Sequence, residues 1–163
     1  MIVASRSSVL ARRCPDVTRI LFGSPWHKVR HKHLRIVSVN DVYELHMLPH
    51  LRSLILQAQT EVAGCLGTNF LTTMNGDFVS PSVLSGMDQG RSMVSVMNHL
   101  PITHCCFGNH EADIQLDELG ARVREFGGVW LNSNMPDFRP QLRAFDIVKV
   151  NMGDAVVRVG LLG

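Results

Sequence analysis

The sequence contains no apolar run near the roughly 20 residues that a membrane-spanning helix needs, so a soluble chain without an integral membrane segment is expected. It contains no Cys-x-x-Cys pair. Cys14, Cys65, Cys105 and Cys106 therefore read as reduced, mostly buried thiols, which favours a reducing compartment, cytoplasmic or organellar, over secretion. Acids are nearly missing from the first 35 residues, which carry eight Lys/Arg against Asp16 alone. Residues 36–163 carry eight Lys/Arg and thirteen acids, so the net charge of +2 belongs to an N-terminal extension. The mildly acidic body asks for no polyanionic partner, which argues against nucleic acid. Internal repeats and low-complexity tracts are also lacking. An apolar content of 45% is ordinary for a globular domain with a buried core.

Residues 1–33 show no hydrophobic period. They are rich in Ser and Arg, as organelle targeting peptides are, and lack the continuous apolar core of a secretory signal. The alternatives are a disordered extension or a misplaced start codon. His27, His31 and His33 lie among Lys28, Arg30 and Lys32 and read as a solvated basic patch, not a metal site.

Regular patterning begins at residue 34. Leu34–Asn40 reads as a strand, and Glu44–Thr60 as a helix with Leu45, Leu48, Leu51, Leu54 and Ile55 on its apolar face and Pro49 near its first turn. Phe70–Met74 is a second strand, and Asp88–Leu100 a helix packing through Met93, Val96, Met97 and Leu100. Ile102–Phe107 is a third strand and Asp113–Phe126 a third helix, stopped by Gly127-Gly128. Val129–Leu131 starts a fourth strand. Phe145–Val150 and Ala155–Leu162, joined by Asn151-Met152-Gly153-Asp154, read as a hairpin. Strands alternating with helices predict an α/β fold with parallel strands.

Each of the first three strands runs into polar residues: Asn40-Asp41, Asn75-Gly76-Asp77 and Gly108-Asn109-His110. Parallel strands bring these ends to one edge, where open α/β sheets bind ligands. Any single Asp or Asn after a strand is more often a turn residue. Three successive sets of carboxylate, amide and imidazole suit Mg, Mn, Zn or Fe, or a phosphate.

The ordered set Asp41-Val42-Tyr43, Gly76-Asp77 and Gly108-Asn109-His110-Glu111 resembles the signature of the calcineurin-like metallophosphoesterases. The segments VNDVYEL, NGDFVSPSVLS, GRSMVSVMNHL and CFGNHEAD, with the later LNSN and GLLG, are similar to the 5'-nucleotidase branch in particular. The resemblance runs from residue 34 to the last residue. It implies the N-terminal half of a layered α/β/β/α sandwich that ends here in a β-hairpin, with two divalent metal ions at the strand ends. It further implies Asp41 as a ligand of the first metal, Asp77 as a bridge between both, and Asn109 as a ligand of the second. His110 would be the general acid, held by Asp113. The implied reaction is hydrolysis of a small-molecule phosphate ester, with nucleoside 5'-monophosphates as the substrate class.

Two departures qualify this. Tyr43 stands where the signature has a histidine, and the chain has no histidine after His110, whereas the family draws further histidines from later in its domain. An incomplete metal cage in a truncated domain is therefore expected, with weak metal binding. The alternatives are a phosphoesterase for nucleotide-sugars or cyclic nucleotides, or a non-catalytic, regulatory module. His104, Cys105, Cys106 and His110 resemble a zinc set on paper, but strand alternation sends Cys105 to the opposite face from His104 and Cys106. Trp26 and Trp130 are weak candidates for stacking a base. Asn132 and Asn134 end the fourth strand near the expected site. Asn134 is a possible contributor, with turn formation the commoner use of such residues.

Overall fold

The computed structural model describes residues 33–63, 68–151 and 155–163, with the side chains of His33 and Thr68 excepted. The expected extension with His27, His31, Cys14 and Trp26, together with Cys65 and the centre of the hairpin turn, lies outside the described residues.

Strands β1 (His33–Val39), β2 (Thr68–Asn75), β3 (His104–Cys106) and β4 (Val129–Leu131) form one parallel sheet in the order β1-β2-β3-β4. Val39, Met74, Cys105 and Trp130 pair across it as one row. Met74, Cys105 and Trp130 from that row are buried in the main apolar cluster, with Val39 packed against it. The neighbouring row of Ser38, Thr73, His104 and Val129 points to the other face. His104 and Cys106 thus part from Cys105, as alternation predicts.

Helix α1 (Leu48–Ala63) buries Leu48, Ile55 and Val62, a seven-residue spacing that keeps one stripe on the sheet. Pro49 sits in its first turn, where a missing N–H breaks no helical bond. Leu54, expected on the core face, is 63% exposed. One residue before Ile55, it is rotated about 100° off the stripe.

Two other helices begin differently from expectation. The helix expected over Asp88–Leu100 is the shorter α3 (Arg91–Met97), and an unexpected helix α2 (Val83–Asp88) precedes it, the two separated by Gln89 at φ 54° and Gly90 at φ 78°. The Asp88 carboxylate accepts from the N–H groups of Gly90 and Ser92 at 2.9 and 2.8 Å, so it caps α3 from outside. Ser82 and Ser85 open α2 with a reciprocal capping box. The third helix, α4 (Leu116–Glu125), starts three residues later than expected, because His110–Asp113 forms a tight 3₁₀ turn instead. No described helix is long and apolar enough to cross a membrane.

Strands β5 (Phe145–Asn151) and β6 (Val156–Leu162) pair antiparallel as the expected hairpin, in a separate two-stranded sheet. Polar side chains tie it to the larger sheet: His104 Nε2 meets Asp146 Oδ2 at 3.2 Å, and Asn69 both accepts from Asn151 N at 3.1 Å and donates through Nδ2 to Asn151 O. Val150 is buried, whereas Phe145, Ile147, Val156, Val157 and Leu162 are exposed.

Candidate functional site

The loops after β1, β2 and β3 meet at one edge of the sheet. Asp41 and Asp77 both adopt left-handed backbone conformations, at φ 56° and 55°. Such angles are uncommon for residues other than glycine and concentrate at functional sites. The loops are bonded to one another: Val42 N donates to Asp77 O at 3.0 Å, and His110 N to Asp77 Oδ1 at 2.8 Å. A Cβ on Gly76 would lie 2.2 Å from Gly108 N, and a Cβ on Gly108 would lie 2.2 Å from Asp77 Oδ1. Bare backbone at both positions lets the loops close.

Glu111 holds this arrangement from below. Its side chain is buried, and Oε2 accepts from the N–H groups of Asp77 at 2.9 Å and Gly108 at 2.5 Å. Oε1 accepts from Phe78 at 2.9 Å and Val79 at 3.1 Å. Successive N–H groups converging on one anion form a nest. Here the anion is internal, and it dictates the shape of the Asp77 loop. Sequence reasoning missed Glu111; the signal was its place directly after His110 in the Gly-Asn-His-Glu string.

His110 Nδ1 lies 2.8 Å from Asp113 Oδ2, as expected, in a partly exposed pair. The hydrogen bond to Asp113 raises the His110 pKa above its ordinary value. The charges of Asp113, Asp77 and Glu111 add to this, against the opposing cost of desolvation. Tyr43 faces the site: its hydroxyl donates to Asp41 Oδ1 at 2.6 Å, and its ring lies edge-on to His110 at 5.9 Å between centroids. That hydrogen bond, then burial, then the charges of Asp41, Asp77 and Glu111 push the phenol well above its usual range, so it stays neutral. Asn40 Nδ2 donates to the other oxygen of Asp41.

Asn109 is exposed between Gly108 and His110 at the start of the 3₁₀ turn. Asn134 is exposed and makes no hydrogen bond among the described residues. Asn132 is buried and closes a turn through Met135 N and O. Trp130 packs against Phe78, Phe107 and Phe126 at 5.4, 5.1 and 5.9 Å between centroids, so it cannot stack on a base. A cleft of about 580 Å³ opens beside Asp41 and Tyr43, bordered by Glu44, His46, Met47 and Pro81.

Among the described residues no three His, Cys, Asp or Glu side chains gather closely enough to hold a metal ion, which also disposes of the zinc set. The donors at the edge are two carboxylates and an amide, Asp41, Asp77 and Asn109. Their chemistry fits a hard divalent cation that keeps several waters. Their number leaves the cage incomplete.

No protein-family model matches the chain, and no curated protein matches it. Solved structures do. A Staphylococcus aureus protein described as a 5'-nucleotidase, in complex with alpha-ketoglutarate, superposes with a TM-score of 0.61 at 19% identity, covering 79% of this chain and 28% of its own. The 5'-nucleotidase precursor of Thermus thermophilus gives 0.59 at 18% identity, covering 78% and 27%. The sulfate thiohydrolase SoxB of the same organism, in complex with glycerol, gives 0.58 at 21% identity, covering 69% and 20%. The chain thus spans less than a third of the length of each. The chain shares the fold of part of each of these three structures.

Proposed function

We propose that the strand-end site belongs to a metal-dependent phosphoesterase with nucleoside 5'-monophosphates as its substrate class. The supporting observation is the meeting of Asp41, Asp77, Asn109 and the His110–Asp113 pair at one sheet edge, with both aspartates in left-handed backbone conformations. The nucleotide class rests on the likeness to proteins described as 5'-nucleotidases. Asp41, Asp77 and Asn109 are the residues that would hold divalent cations. When bound, such cations supply positive charge that orients a phosphate and offsets its developing negative charge.

The chain's own residues account for proton transfer. Asp113 engages Nδ1 of His110, which leaves Nε2 to give a proton to the departing ester oxygen. Because the His110 pKa is raised, the acid form is full below the ordinary value of 6.5 and persists into more neutral pH. Hydrolysis of an alkyl phosphate needs that proton, since an alkoxide leaves poorly.

A second reading, a non-catalytic or regulatory module, is favoured by Tyr43, whose bond to Asp41 occupies a carboxylate oxygen. Metal stoichiometry and leaving-group dependence separate the two. The chain by itself is expected to hold Mn²⁺ weakly and to turn over slowly. Asp77→Asn should remove Mn²⁺ binding altogether. His110→Asn should keep the metal and lose about 10²–10⁴-fold in turnover of a nucleoside monophosphate, with a smaller loss for p-nitrophenyl phosphate. Metal retained in Asp77→Asn, or lost in His110→Asn, refutes the assigned roles.

A further inference from the structure

His104 sits where the hairpin meets the parallel sheet, and both of its ring nitrogens face oxygen. Nε2 lies 3.2 Å from Asp146 Oδ2 on β5, and Nδ1 lies 2.9 Å from Thr103 Oγ1. The Thr103 hydroxyl donates to Thr72 O at 2.9 Å, and the same carbonyl accepts from Thr103 N at 3.1 Å. A hydroxyl carries a single proton. While it donates to Thr72 O it can only accept from Nδ1, and an ionised carboxylate can only accept from Nε2. Both nitrogens are then donors, which is the charged imidazolium. The neutral ring fits once the Thr103 hydroxyl turns from Thr72 O to Nδ1, because Thr103 N keeps that carbonyl satisfied. The network thus accepts either charge state, and the difference between them falls on the bond to Asp146.

We propose that the His104–Asp146 pair is a pH-responsive latch, holding the hairpin firmly to the sheet while the ring is charged and loosely once it is neutral. The imidazole is 10% exposed, so the charged pair is screened less than a surface pair would be. Amide and main-chain bonds share the junction: Asn69 pairs with Asn151, and Ser133 N donates to Gly163 O at 2.6 Å. A cavity of about 240 Å³ lies beneath the hairpin, between Ile36, Thr73 and Cys106 on the sheet and Leu161 on β6. Packing there is too incomplete to hold the hairpin in place of the pair.

The groups around the ring keep their charge where an imidazole changes its own, between about pH 5 and 8. The bond to His104 holds the Asp146 carboxyl below the usual carboxylate range; Ile147 N–H adds to this, desolvation opposes it, and the charges of Arg143 and His104 add further. Its contribution is therefore present above the ordinary carboxylate value and lost only as pH falls through the lowered one. Arg143, 3.3 Å from Asp146 Oδ1, stays charged. Burial, then the charge of Glu111, pushes the Cys106 thiol up, so it stays neutral. The side chains that β1, β2 and β6 present to the cavity are uncharged, and the terminal carboxylate at Gly163 is ionised throughout this range. Loss of the ring's second proton thus weakens the latch as pH rises.

Amide hydrogen exchange of the 163-residue chain at about pH 5.5 and about pH 8.5, with intrinsic rates divided out, tests this. The Asn151 and Ser133 amides bridge the junction and should lose about five- to tenfold in protection at the higher pH, the difference between a charged and a neutral hydrogen bond. Amides that pair β1 with β2 should not change. His104→Gln keeps a neutral donor and Asp146→Asn keeps an uncharged acceptor; each, shown by circular dichroism to be folded, should give the same protection at both pH values. The ¹⁵N resonances of the wild-type ring give a reading free of any substitution: both His104 nitrogens should carry protons at the lower pH and one at the higher. Wild-type protection that holds or rises with pH, a His104 ring with one charge state throughout, or folded variants that keep the wild-type pH dependence each overturn the proposal.

Discussion

Glu111 shows how a residue can matter to a site without facing it. Its carboxylate accepts four backbone N–H groups, from Asp77, Phe78, Val79 and Gly108. Glu111→Gln keeps the shape but turns an NH₂ toward donors that need an acceptor. Leaving buried donors unpaired costs about 1–3 kcal/mol for each group. A loss of roughly 3 kcal/mol is therefore expected in a urea-unfolding midpoint analysed with an unchanged slope; a loss below about 1 kcal/mol would mean that water replaces the carboxylate. The meeting of Asp41, Asp77, Asn109, His110 and Asp113 at one sheet edge was legible because each stands in a recognisable polar string after a strand. Glu111 was in the same string, but accepting from distant main-chain N–H groups leaves no mark in side-chain pattern. The bond of Tyr43 to Asp41 was equally hidden, since the sequence shows a missing histidine and not what the phenol does instead.

The helices were legible in kind and misjudged at their edges. The stripe of Leu48, Ile55 and Val62 in α1 follows from apolar spacing, and the placement of Leu54 on that face was a one-position error. The difference is measurable. Ile55→Ala should cost about 2–5 kcal/mol, as burial and cavity terms add, while Leu54→Ala should stay within about 0.5 kcal/mol. Comparable costs would place Leu54 in contact with something other than solvent. The break between α2 and α3 escaped notice because it hinges on Gln89, a residue that seldom takes the left-handed conformation. Gly90 was the visible mark, and the Ser82–Ser85 box was the missed start signal. The late start of α4 reflects the His110–Asp113 bond, which commits Asp113 to the site and not to the helix.

At the scale of the molecule, the parallel strands and the terminal hairpin follow from alternating patterns, because period and turn residues are local properties. The attachment of the hairpin is not local. His104 and Asp146 are 42 residues apart, and Asn69 and Asn151 are 82 apart. Each member alone looks like an ordinary polar strand residue. The same non-locality gives Glu111 a consequence in the time domain. Four amides from two loops share one acceptor, so none can exchange its proton with solvent unless that acceptor withdraws or the loops part. Hydrogen exchange in deuterated buffer should report one opening free energy for Asp77, Phe78, Val79 and Gly108, once intrinsic rates are divided out. Glu111→Gln should lower their protection together. A Gly108 amide that exchanges far ahead of the other three would mean that the loops breathe separately, and that the floor beneath the two aspartates is hinged rather than solid.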